Sequence, residues 1–246
     1  MIPFVIAAFV SYFVKGLCGF ANMLVFGSIL SFSVDNIDIS PIGLILGLPA
    51  NMVMTWKNRQ NLNWRIWAPI AVLVLLGNIP GTFLLQTGDA KLIKILFGVA
   101  IILIGIEMLY REYSSNRIDK APNAKRGNKA FLMFIGLISG VLCGLYGVAV
   151  LLAVYMSRVT DNDSSFKANM CAVLITENIF RVIAYGIAGI LSLQNIGQAM
   201  MLFPVMAIGL WLGMKCSDRL NKAVAKKIVV IMILLSGVSL VVTNLI

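Results

Sequence analysis

The sequence predicts an all-α integral membrane protein: two inverted repeats of four apolar segments each, the first segment of each repeat a broken or re-entrant helical hairpin. Three observations predict it. Of 246 residues, 60% are hydrophobic and 12% charged, with a mean hydropathy of +0.94, whereas soluble domains carry about 25% charged residues. Eight apolar segments fall at about 2–32, 40–56, 66–86, 92–110, 130–157, 168–191, 196–214 and 224–245. Most have the length that crosses a hydrocarbon layer of roughly 30 Å as a helix, and their continuous apolar runs exclude the alternation of a β-barrel. Finally, the basic residues divide unevenly between the two sides of the membrane once the first and fifth segments are folded back.

The first segment opens Met1-Ile2-Pro3-Phe4, with neither a basic leader nor a small-residue cleavage site, so it is expected to belong to the mature protein. Its 31 residues are too many for one upright span, and Lys15-Gly16 and Gly19 interrupt it. The fifth segment, 28 residues long, is interrupted by Gly140, Gly144 and Gly147. Two half-helices entering and leaving on one side fit this pattern where the tip is buried in protein. A long tilted or kinked helix is the alternative.

The halves resemble each other. Leu17-Cys18-Gly19 recurs as Leu142-Cys143-Gly144, 125 positions on, and Gly77, Gly81, Lys94 and Gly105 recur as Gly209, Gly213, Lys226 and Gly237, 132 positions on. The chain therefore divides into a first transmembrane repeat, 1–110, a basic linker, 111–129, and a second repeat, 130–246. The linker holds six basic and two acidic residues with Pro122, Asn123 and Gly127, a solvated composition.

Charge decides between the two readings of segments one and five. If all eight segments cross, the loop bases split nine against nine. If the two long segments are re-entrant, 16 lie on the linker side and only Lys91 and Lys94 on the other. Each half then crosses three times, so the halves are inverted, the linker is cytoplasmic and both termini lie outside the cell membrane. The net charge of +10 is thus assigned to topology and anionic lipid, with no nucleic-acid partner.

Four charges fall deep within apolar segments: Lys15, Glu107, Glu177 and Arg181. Such charges are costly and line a cavity or pair with one another. Glu177 and Arg181 share a helical face, either as a packing pair or with Arg181 binding an anion and Glu177 taking a coupled proton. Lys15 stands at the break of segment one beside Gly16, Gly19 and Asn22, where half-helix N–H groups favour an anion; a Lys snorkelling to the headgroups is the alternative. Glu107 is expected at the interface. Asn51 and Asn178 occupy comparable places in the two halves and either bond a neighbouring helix or line a solute path. Cys18 and Cys143 hold matched repeat positions, as packing residues or as thiols facing a soft ligand, with Gly144 beside the second. Glycine pairs such as Gly77-x3-Gly81 and Gly209-x3-Gly213 let helices approach closely.

Without a histidine, a Walker loop or zinc-like cysteine spacing, the chain is not expected to be an enzyme, and no metal or cofactor is expected. The four cysteines, all in or at the ends of apolar segments, do not suggest a disulfide framework.

Gly16-Leu17-Cys18-Gly19-Phe20-Ala21-Asn22, Asn61-Leu62-Asn63-Trp64-Arg65 followed by Pro69 and Gly77-x3-Gly81, the linker, Gly140 to Gly147, and Gly209-x3-Gly213 resemble the TauE/SafE family of sulfite exporter-like permeases. The chain departs from the family's glycine-rich tips in carrying Phe20-Ala21-Asn22 and Tyr146-Gly147-Val148-Ala149. The resemblance implies transport of sulfite, a sulfonate or another small sulfur-containing or organic anion. The expected function is a secondary permease working by alternating access, with the anion held by Lys15, Gly16, Cys18, Gly19, Asn22, Asn51, Cys143, Gly144, Asn178 and Arg181 and protons coupled at Glu177. Its partners would be the anionic substrate and membrane lipid, with a homodimer as a further option. A thiol–disulfide electron carrier using Cys18 and Cys143, and a non-transporting assembly subunit, are the rival readings.

Overall fold

Helix is what an apolar chain must form in lipid, where no water satisfies the backbone. The computed structural model describes residues 2–30, 36–87, 136–141, 143, 144, 149–160 and 162–217, with single positions 99, 102, 106, 231, 234, 238 and 242. Among these there is no strand. The helices are α1 Ile2–Cys18, α2 Asn22–Leu30, α3 Asn36–Lys57, α4 Trp64–Thr87, α5 Val150–Val159, α6 Asp163–Ile187 and α7 Leu193–Ser217, with a 3-10 turn Arg59–Asn61 between α3 and α4. Residues 136–141 are also helical. Among the described residues, four stretches are long and apolar enough to cross a membrane: Ile39–Lys57, Trp64–Gly81, Asp163–Ile187 and Leu193–Ser217. The linker, the tip residue Gly147, Glu107, and segments 92–110 and 224–245 apart from the single positions lie outside the described residues.

Polar side chains start the long helices. Asn63 Oδ1 accepts from Arg65 N at 3.0 Å, Asn162 Oδ1 from Ser165 N at 2.8 Å, and Ser192 Oγ from Asn195 N at 3.1 Å. Each satisfies an N–H that a helix start leaves open, worth about 0.5–2 kcal/mol. Outward faces are apolar: Val72, Leu76 and Ile79 follow one face of α4, and Ile183 and Ile187 one face of α6, all more than half exposed. In water such stripes would aggregate; in a bilayer they face lipid. Trp56, Trp64 and Trp211 stand exposed at helix ends, with Arg59, Arg65 and Lys215 lying 4.4, 5.8 and 4.9 Å from their ring centres. Paired aromatic and basic residues of this kind sit at the headgroup level.

The first segment breaks where its glycines are. α1 ends at Cys18, Gly19 takes φ +88° and Ala21 φ +70°, and α2 begins at Asn22. Gly19 adopts the left-handed region freely, whereas Ala21 does so against the clash of its Cβ. Beyond the break, Asn22 lies near Gly47, and Met23 and Phe26 against Gly43. Ala21→Val is expected to lower stability in detergent by about 1–2 kcal/mol, since β-branched residues resist positive φ, and Ala21→Gly to leave it unchanged or raise it; a thermal unfolding scan of both variants checks this.

Packing between the halves is reciprocal. In α7, Gly209 abuts the backbone of Phe9, and Gly213 that of Phe13 and Gly16, all on α1. In α4, Gly77 abuts Leu137 and Gly140, and Gly81 abuts Val141. The third apolar segment of each half thus lies on the first of the other, and the 132- and 125-residue offsets relate the Gly213–Gly16 contact to that of Gly81 with Val141. The same exchange relates the contact of α3 with α7 to that of α4 with α6, while α3 and α6 pack on each other. Absent side chains at the glycines let the backbones meet.

At one end of the bundle, polar bonds join several helix termini. Asn169 of α6 accepts from Asn63 N at 2.9 Å and donates to Asn61 O at 3.3 Å. Lys167 Nζ donates to Ser217 Oγ at 2.6 Å, and Ser217 Oγ donates to Leu17 O at 3.0 Å. The ends of α1, α3 and α7 and the starts of α4 and α6 therefore share one level.

Candidate functional site

Buried polar groups gather where the break in segment one meets α3 and α6. Lys15, in the last turn of α1, is fully buried, so it does not snorkel, and its Nζ donates to Asn22 Oδ1 at 3.0 Å. Tyr12, one turn earlier and also buried, donates from its hydroxyl to Gly43 O at 3.3 Å. Gly47 leaves room for three polar tips to converge: a Cβ there would stand 3.3 Å from Asn178 Nδ2, 3.7 Å from Asn22 Nδ2 and 3.9 Å from the Tyr12 hydroxyl.

The second cluster hangs from α6. Arg181 and Glu177, each 1% exposed, pair at 3.5 Å between Nη1 and Oε1. Arg181 Nη2 donates to Ser40 Oγ and to the Tyr185 hydroxyl, both at 2.7 Å, and those two hydroxyls lie 3.1 Å apart. Asn78 Nδ2 donates to Glu177 Oε1 at 3.3 Å. Among the described residues, Arg181 Nε and Asn51 Oδ1 are buried without a hydrogen-bond partner. A buried polar atom in that state costs about 1–3 kcal/mol unless something else meets it.

A cavity of about 20 Å³, lined by Ala21, Asn22, Gly43, Gly47, Asn51, Ala149, Asn178 and Arg181 among others, lies at this junction; it has room for about one or two water molecules. Ala149 precedes α5, so the cavity touches residues after the break in segment one and the start of α5. Around it, among the described residues, are buried two basic side chains, Lys15 and Arg181, and one carboxyl, Glu177, which pairs with Arg181. Ionisable side chains at such depth line a cavity or pair with one another.

Of the sequence-derived residues, Asn22, Asn51, Asn178 and Arg181 line the cavity, Lys15 reaches it through Asn22, and Glu177 reaches it through Arg181. Gly16, Cys18, Gly19, Cys143 and Gly144 are not among the lining residues. Gly16 serves the contact with α7, a Cβ there falling 2.6 Å from Leu210 O. Cys18 Sγ is bonded to Val14 O at 2.9 Å and Phe20 O at 3.4 Å, and Cys143 is buried in an apolar cluster with Leu152 and Val173. Sequence reasoning missed Tyr12, Ser40, Asn78 and Tyr185. The four-residue spacing of Arg181 and Tyr185, and the rule that singled out Asn51, would have found two of them.

None of the four cysteines is disulfide-bonded. Cys143 and Cys171 are buried and Cys216, at the end of α7, is half-buried. A water-soluble maleimide is expected to label Cys216 in open membranes and to leave Cys143 and Cys171 unmodified until the protein is denatured; mass spectrometry of the labelled peptides checks the order.

No curated protein and no solved structure matches the chain. The family model described as sulfite exporter TauE/SafE matches residues 4–240, a span that holds both broken segments, the reciprocal glycine contacts and every residue of the cavity. That description fits a multi-pass helical membrane protein, and the chain belongs to the sulfite exporter TauE/SafE family.

Proposed function

We propose that the protein is a secondary transporter that carries a small sulfur-containing oxyanion, sulfite or a sulfonate, by alternating access at the cavity between the two broken segments. The observation that carries this reading is the pair of buried basic side chains, Lys15 and Arg181, gathered with Glu177 around one small cavity. Buried charge of this kind is tolerated where a ligand completes it. Asn22, Asn51 and Asn178 supply the amides that orient the anion, and Glu177, one helical turn from Arg181, takes the coupled proton.

Inverted repeats with re-entrant first segments fit this mechanism. The contacts of Asn22 with Gly47 and of Met23 with Gly43 support a chain that turns back along α3 after Gly19, and the reciprocal helix contacts support two equivalent halves that rock about a shared site. Polar bonds at the end marked by Lys167 and Ser217, together with the basic loops there, favour that end as cytoplasmic. At about 20 Å³ the cavity is too small for a hydrated oxyanion, so loading requires the halves to part.

Uptake of radiolabelled sulfite and of sulfonates into proteoliposomes tests the reading. Purified protein is expected to give flux that the double variant Lys15→Ala, Arg181→Ala lacks. Wild-type flux in that variant would sink the site assignment. Because the site must release its cargo, binding far tighter than about 1 μM is not expected.

A further inference from the structure

The polar groups that meet the cavity are of two kinds. Arg181 Nε is a donor and Asn51 Oδ1 an acceptor, each buried and unpartnered among the described residues, and both side chains line the same space. Asn22 and Asn178, with their amide nitrogens turned towards Gly47, add further donors. A fully deprotonated oxyanion offers acceptors alone, so it would answer the donors and leave its oxygens facing Asn51 Oδ1, acceptor against acceptor. For an oxyanion such as sulfite, the form that carries a proton to donate is also the singly charged one.

We infer that the site selects a singly charged oxyanion that carries a hydrogen-bond donor of its own, the donor being received by Asn51 Oδ1 and the oxyanion by Arg181 and the neighbouring amides. Hydrogen sulfite, with one hydroxyl or S–H hydrogen, is the smallest sulfur species of this type, and sulfite dianion is the form refused. This rests on the anion-transport reading and adds to it a protonation state and a residue that reads it. Specificity of this kind is strong because a site with a buried acceptor rejects an isostere lacking the donor.

Sulfamate and methanesulfonate test it. Both are monoanions near neutral pH and nearly equal in size; one presents an NH2 group where the other presents CH3. As competitors of labelled sulfite uptake in proteoliposomes of the wild-type protein, sulfamate is expected to inhibit at roughly tenfold lower concentration than methanesulfonate. In Asn51→Leu the two should become equal to within about twofold, through loss of sulfamate potency rather than gain by methanesulfonate. Asn51→Ser, which keeps an acceptor, should retain part of the difference. Equal potency in the wild type, or a sulfamate advantage that survives Asn51→Leu, would overturn the inference while leaving the transport reading standing. Absence of sulfite uptake by the wild type would overturn the transport reading itself, and this inference with it.

Discussion

Arg181→Met is expected to abolish anion flux and to destabilise the protein by about 3–5 kcal/mol, the cost of leaving a buried charge without its partner. The partner is Glu177, buried at 3.5 Å from the guanidinium and held otherwise by Asn78. Ser40 and Tyr185 would also lose the donor that now lies 2.7 Å from each hydroxyl. Stability and function can be separated by adding Glu177→Gln. The double variant Arg181→Met, Glu177→Gln carries no orphaned carboxylate and should recover most of the lost stability, yet it should still not transport, since the cation facing the cavity is gone. Unfolding midpoints in detergent together with proteoliposome flux make the comparison. Flux near the wild-type rate in the double variant would show that the pair is a packing device. Glu177→Gln alone keeps Arg181 charged and bonded to Ser40 and Tyr185; it is expected to bind anion while losing the response of flux to a pH gradient.

Gly213→Leu should prevent the protein from accumulating in the membrane, and Gly77→Leu should do the same. A Cβ at Gly213 would run into the Phe13 carbonyl, and one at Gly77 into the Leu137 carbonyl. Backbone, unlike a flexible side chain, has nowhere to go. Overpacking in an ordinary core costs about 1–3 kcal/mol, and here whole helices must separate. Gly197→Leu is the control within the same helix: nothing stands within 4 Å of a Cβ there, and replacing glycine in a helix gains up to about 1 kcal/mol of propensity. Membrane levels measured on immunoblots and unfolding midpoints should rank Gly197→Leu at or above wild type and the other two far below it. Equal levels of all three would refute the close helix contacts.

Lys15, Asn22, Asn51, Asn178 and Arg181 were legible in the sequence because polar groups are rare in apolar helices and must be accounted for when they occur. The break at Gly19 was legible for a related reason, a segment too long for one span with glycines in its middle. Cys18 and Cys143, matched at 125 residues, are not among the lining residues: Cys18 bonds Val14 O and Phe20 O, while Cys143 packs with Leu152 and Val173 within electrostatic reach of Glu177 and Arg181. Tyr12 and Tyr185 were hidden because a tyrosine in an apolar helix looks like any other aromatic until its hydroxyl finds a partner from a distant segment. Ser40 lay at the start of α3, where a serine reads as a helix-end residue. Asn78 lies inside the Gly77-x3-Gly81 stretch, whose glycine spacing reads as helix packing.

The exchange of contacts between halves bears on how the protein is made. α1 emerges from the ribosome well before the backbone it rests on, from Gly209 to Gly213 in α7, which is synthesised nearly 200 residues later. Until then Lys15 has no finished interior to occupy, and α1 must wait in a provisional position, held by α2 and α3 or by the insertion machinery. α4 waits likewise for residues 137–141. Neither half is expected to fold by itself, since α7 rests on α1 and α4 on residues 137–141. Cutting the gene within the linker should therefore give two fragments that are degraded when made singly and stable when made together.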